Sequence, residues 1–123
     1  METRIPSILF VEDDESIRIA GSRILTRFTD KLLVAEDGQE GLDLCLAHRP
    51  LVVITDLDMP RMHGTEMVRR IRESCDPVPY VIVITAYKEK YDLEGLADVE
   101  LSKPVSRTDL VRELETYLKS GSR

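Results

Sequence analysis

The chain has 123 residues, 42% of them hydrophobic and 33% charged, and a formal net charge of −6. That length carries one hydrophobic core, and the acidic balance argues against binding a nucleic-acid backbone as the main activity. The apolar runs are too short to span a membrane, and Met1-Glu2-Thr3-Arg4 lacks the apolar stretch of a signal peptide.

Cys45 and Cys75 lie far apart in the sequence, without CxxC or metal-ligand spacing, which fits reduced thiols in a cytosol. No repeat of solenoid period is present, and nothing marks a second domain.

Ile8-Leu9-Phe10-Val11 is the first run with strand character, and it ends in the acidic stretch Glu12-Asp13-Asp14-Glu15. From Ile17 the apolar residues Ile17, Ala20, Gly21, Ile24, Leu25 and Phe28 follow the spacing of one helix face. Asp14 or Ser16 can cap that helix, so part of the acidic run has a structural job. Leu32-Leu33-Val34-Ala35 is a weaker strand, and the helix after it presents Leu42, Cys45 and Leu46 inward until His48-Arg49-Pro50 stops it.

Leu51-Val52-Val53-Ile54 reads as a strand buried on both faces, with Asp56 where the apolar run stops. Pro60 forces a turn before the helix that carries Met67, Val68 and Ile71. Asp76-Pro77-Val78-Pro79 breaks the chain ahead of Tyr80-Val81-Ile82-Val83-Ile84, the most strand-like run of all. Residues 87–98 are polar, with only Leu93, Leu96 and Ala97 as inner-face candidates, enough for a helix of one or two turns. Val99-Glu100-Leu101 is a brief fifth strand. The last helix begins near Ser106, with Asp109 in capping-box spacing and Leu110, Val111, Leu114 and Leu118 facing inward.

Strands alternating with helices through short connections predict an α/β fold with a doubly wound, five-stranded parallel sheet. All carboxyl ends then share one edge, where ligands bind in such sheets. Glu12, Asp13, Asp56, Thr85 and Lys103 stand just past those ends. Crowded carboxylates either take up protons or bind a cation, and oxygen donors without His or Cys suit Mg2+, with Mn2+ as an alternative. Thr85 and Lys103 suit an anion with several acceptor oxygens, so a phosphoryl group transferred onto a carboxylate fits every part.

These residues resemble the receiver domains of bacterial response regulators in two-component systems, the CheY-like family. The matching pieces are Leu9-Phe10-Val11-Glu12-Asp13, Thr55-Asp56-Leu57-Asp58-Met59-Pro60-Arg61-Met62-His63-Gly64, Val83-Ile84-Thr85-Ala86 and Lys103-Pro104, in the family's order along nearly the whole chain. The resemblance implies a flavodoxin-like strand order 2-1-3-4-5 and a cis Lys103–Pro104 peptide. It makes Asp56 the acceptor of a phosphoryl group from a phosphohistidine on a histidine kinase or phosphotransfer protein. Asp13 would bind Mg2+ directly and Glu12 through water, counting the pair from Arg18 on the following helix with Asp14 as the cap; the alternative register makes Asp14 rather than Glu12 a member of the pair. Asp58 would give the metal its backbone carbonyl and turn its side chain toward the phosphorylation site. Thr85 and Lys103 would hold phosphoryl oxygens, Ala86 would keep access open, and Tyr87 and Glu100 would modulate the response.

Two departures stand out. Glu100 occupies the place where the family usually has Tyr or Phe, and the segment between Thr85 and Lys103 is a few residues short, which predicts a shortened fourth helix. Glu100 is expected to stay at the surface with Lys88 and Lys90 as candidate partners, leaving the segment after Thr85 to carry the signal.

The expected function is a phosphoacceptor switch that catalyses only its own phosphorylation and dephosphorylation and acts on an unknown downstream protein, without nucleic acid or membrane. It would be a single receiver domain with no output domain, working alone or cut from a longer regulator. Two alternatives differ in class. One is a haloacid-dehalogenase-type phosphatase, which the Asp56-Leu57-Asp58 motif resembles but the chain leaves no room for a substrate cap. The other is a pseudo-receiver binding module, which the filled site positions disfavour. His48 and His63 fall in predicted loops without a specific role, Arg69, Arg70 and Arg72 read as a solvated helix face, and Met62 and Met67 as packing.

Overall fold

The computed structural model describes residues 4–86 and 95–120. Its elements run β1 (Ile8–Val11), α1 (Glu15–Leu25), β2 (Leu32–Ala35), α2 (Gly38–His48), β3 (Val52–Asp56), α3 (Gly64–Ser74), β4 (Tyr80–Thr85), β5 (Val99–Ser102) and α4 (Arg107–Lys119). The strands pair in parallel in the order β2-β1-β3-β4-β5, the doubly wound flavodoxin-like sheet expected from the sequence. Residues 87–94 of the segment expected to hold a short helix, with Tyr87, Lys88, Lys90 and Leu93, lie outside the described residues, while residues 95–98 form a turn whose Leu96 and Ala97 pack against the core. Among the described residues no helix is long and apolar enough to cross a membrane.

Strand alternation divides the core in two. Leu9, Val11, Val53, Val81 and Val83 face α2 and α3, meeting Leu42, Cys45, Met67, Val68 and Ile71. Ile8, Phe10, Val52, Ile54 and Ile82 face α1 and α4, meeting Leu25, Leu110 and Leu114. Every residue of β1 and β3 is buried, so the two strands on either side of the point where strand order reverses are held from both faces. Met62 and Met67 are packed in the core, as expected.

Several details differ from the sequence reading. Ile17 is 46% exposed and Ala20 is exposed, because α1 covers β1 and β2 but leaves a cleft of about 490 Å3 between its first turn and the β5–α4 connection. Leu46 is also at the surface. In α4 the buried set includes Tyr117, whose ring lies 5.0 Å from that of Tyr80, while Val111 and Leu118 are only partly covered. Cys45 and Cys75, distant in sequence, place their sulfurs 3.9 Å apart as free, buried thiols. Burial, with Cys75 alongside, pushes the Cys45 thiol up to about 12, so it stays neutral.

Candidate functional site at the carboxyl edge of the sheet

Parallel register sets the site. Val11 pairs with Thr55 and Asp56 with Ile84, so Glu12 leaves β1 beside Asp56 at the end of β3. Thr85 and Ser102 pair at the ends of β4 and β5, and the Lys103 amide donates to the Thr85 carbonyl (3.0 Å), carrying the Lys103 side chain to the same edge. Carboxylate oxygens of Glu12, Asp13 and Asp56 lie within 4.8 Å of one another. Glu12 and Asp56 are 2% and 4% exposed, whereas Asp13 is open to solvent.

Asp56 is held at both oxygens. Oδ1 accepts the Leu57 amide at 2.8 Å, and Oδ2 sits 3.0 Å from Lys103 Nζ. Burial pulls the Lys103 ammonium down, but the Asp56 contact and the nearby Glu12 and Asp13 charges outweigh it, and the net shift is upward. Among the described residues, three carboxylates against one ammonium leave two negative charges in excess when all are ionised. Glu12 absorbs that conflict. Its burial, opposed by the Asp14 amide (3.1 Å to Oε2) and reinforced by the Asp56 charge, pushes its carboxyl from 4.5 to about 7.

The neighbouring acids divide as expected in position. Asp14 caps α1, its Oδ1 accepting the Ile17 amide at 2.9 Å. Arg18 donates to the Glu12 and Asp13 carbonyls (3.0 and 3.3 Å) and pairs with Glu36 (3.1 Å), fixing the backbone that presents both acids. Asp58 is exposed, with Oδ1 3.5 Å from His63 Nε2. His63 is no idle loop residue: it caps α3, its Nδ1 accepting the Thr65 amide at 3.1 Å. His48, likewise, closes α2 rather than lying in a loop. Gly64 donates to the Leu57 carbonyl at 2.8 Å, and a Cβ there would press on the Asp56 carbonyl, so glycine closes this loop against the strand end. Thr85 is 1% exposed at the end of β4, Ala86 and Glu100 are at the surface, and the Lys103–Pro104 peptide is cis, as is Asp76–Pro77, which the sequence did not suggest.

Two residues escaped the sequence reading. Asp37 and Arg61 form an ion pair of 2.8 Å that ties the start of α2 to the loop after β3. The only local signal is an aspartate before glycine at a helix start, which suits a cap and says nothing of a partner.

The donor set fits a hard divalent cation: closely spaced carboxylates, oxygen only, with unrelieved negative charge. The cleft beside it, lined by Phe10, Ile17, Ile84, Pro104 and Val105, gives the site an apolar border.

The family model for the response regulator receiver domain matches residues 8–115. The transcriptional regulatory protein AfsQ1 of Streptomyces coelicolor is 36% identical over 123 residues, covering 97% of this chain and 54% of that protein. The response regulator MprA of Mycolicibacterium vanbaalenii is 34% identical over 116 residues, covering 91% and 50%. The chain thus spans about half the length of these curated relatives. Among solved structures, the N-terminal domain of an uncharacterized Wolinella succinogenes protein superposes with a TM-score of 0.85 at 37% identity, covering 94% of this chain and 96% of that one. A CheY-like receiver domain from Methanospirillum hungatei gives 0.84 at 26% identity, covering 94% and 95%. With the fold, the sequence match and these relatives in agreement, the chain belongs to the response regulator receiver domains of two-component signalling.

Proposed function

We propose that Asp56 accepts a phosphoryl group from a phosphohistidine on a histidine kinase or phosphotransfer protein, and that the modified chain changes its binding to a downstream protein. The observation that carries this reading is the Asp56 carboxylate: buried at a strand end, fixed by the Leu57 amide and Lys103, and within 4.8 Å of two further carboxylates. An Asp56 oxygen forms the bond to phosphorus as the phosphorus–nitrogen bond to the donor imidazole breaks. Lys103 would leave the carboxylate for a developing phosphoryl oxygen, and the Thr85 hydroxyl would donate to another. The Leu57 amide keeps the attacking group oriented.

Glu12 and Asp13, with the backbone carbonyl of Asp58, would hold Mg2+ or Mn2+. When bound, the ion supplies positive charge that offsets the carboxylates and the phosphoryl oxygens. The chain's only catalysis would concern its own phosphorylation state. The apolar border at Ile17 and Val105 suits a protein donor, which could cover it while reaching Asp56. The family match leaves the phosphatase alternative without support.

Incubation with phosphoramidate and Mg2+ should add one phosphoryl group by intact mass, labile to hydroxylamine as an acyl phosphate is. Asp56→Asn should abolish it. Labelling of that variant at the wild-type level would overturn the assignment.

A further inference from the structure

We propose that Arg61 and Asp37 are positioning residues for the metal: their ion pair clamps the loop after β3 so that the Asp58 carbonyl is presented to the cation. The inference rests on the metal site proposed above and adds two residues outside it.

The loop is tied at its ends by the Gly64 amide on the Leu57 carbonyl. Its middle is a tight turn, in which the Met62 amide donates to the Pro60 carbonyl at 2.7 Å around Arg61 at φ 65°. A three-residue turn with positive φ is the rare, strained form. Glycine would adopt it freely; arginine occupies it instead, and its side chain supplies what glycine lacks. Arg61 Nε donates to Asp37 Oδ2 at 2.8 Å, while the other Asp37 oxygen caps α2 through the Glu40 amide, also at 2.8 Å. Asp37 is only 6% exposed, so the anchor is rigid. Next to it, a Cβ on Gly38 would overlap the Met62 carbonyl, and the Met62 side chain enters the core, which seats the same turn on α2 from a second direction.

Fold stability is a poor account of the pair. The Arg61 side chain is 69% exposed, and ion pairs with one partner in water contribute little. What the contact does secure is the path of residues 57–63, between a fixed strand end and a fixed helix start. The Glu40 amide and, after it, the Arg61 guanidinium hold the Asp37 carboxyl below its usual range, so the anchor stays charged across the neutral range.

Equilibrium Mn2+ binding, read from the electron paramagnetic resonance signal of the free ion, tests this without phosphorylation. Arg61→Ala and Asp37→Asn should each weaken Mn2+ binding about tenfold, the lower end of what outer residues contribute to metal affinity. The double variant should be no weaker than either single one, and Arg61→Lys should recover most of the loss. Phosphoramidate labelling should need more Mg2+ in Arg61→Ala yet reach the wild-type rate at saturation. Wild-type Mn2+ affinity in both single variants would overturn the clamp while leaving the phosphoacceptor reading intact. A wild-type chain that binds no Mn2+, or labels independently of Asp56, would overturn that reading and the clamp with it.

Discussion

At the amino edge of the sheet, Arg4 donates to the carbonyls of Arg27, Thr26 and Thr29 and pairs with Asp30, Tyr80 lies against Tyr117, and two free cysteines share a buried contact. At the carboxyl edge, by contrast, Glu12 and Asp56 are buried as acids beside Asp13, with Lys103 as their close ammonium. The same strands join the two edges, so the difference lies in what each edge is for. Satisfied polar groups and apolar contacts at one end add to stability. Crowded carboxylates at the other cost stability until a cation or a proton relieves them. Excess carboxylate charge at that edge favours a cation, whose own charge would then offset the repulsion met by an incoming anion.

The largest expected effect separates the edges by stability alone. Tyr117→Ala removes a buried ring and its aromatic contact, and should lower unfolding free energy by roughly 3 kcal/mol or more in urea titrations. Metal binding should not change, since the ring lies at the far edge. A weakened metal site in that variant would mean the two edges are coupled.

The strands and the acids at their ends were legible because buried parallel strands read as continuous apolar runs closed by polar residues, whereas the strand order followed from the family resemblance. Ile54-Thr55-Asp56 shows both in three residues. Legibility failed where contacts depend on which elements meet. Apolar spacing placed Ile17 on an inner face, but among the described residues no helix packs over the first turn of α1, so it lines an open cleft. Tyr117 carries a hydroxyl and was passed over, although its ring is core. Cys45 and Cys75 meet only because α2 and α3 lie side by side. The Asp37–Arg61 pair joins segments whose proximity no local pattern records, while His63 was passed over although its cap on Thr65 is local.

A smaller effect sharpens the division inside the acidic run. Asp14→Ala should cost about 0.5–2 kcal/mol through loss of the α1 cap, and leave Mn2+ affinity near that of wild type. Abolished binding there, with binding retained in Glu12→Ala, would shift the acidic pair by one residue.

The carboxyl edge carries an electrostatic cost centred on Glu12. Its folded carboxyl titrates near 7 against 4.5, so between those values the folded chain holds more protons than the unfolded one. Stability therefore falls as pH rises through that window and levels off above it. Urea unfolding of wild type and Glu12→Gln, without metal, measures the cost directly. The two should be equally stable near about pH 4.5, and Glu12→Gln should become more stable by on the order of 1–3 kcal/mol by about pH 8. Saturating Mg2+ should close that gap from the wild-type side, since the ion needs Glu12 ionised. A Glu12→Gln variant no more stable than wild type at the higher pH, or a gap that Mg2+ leaves untouched, would contradict the account.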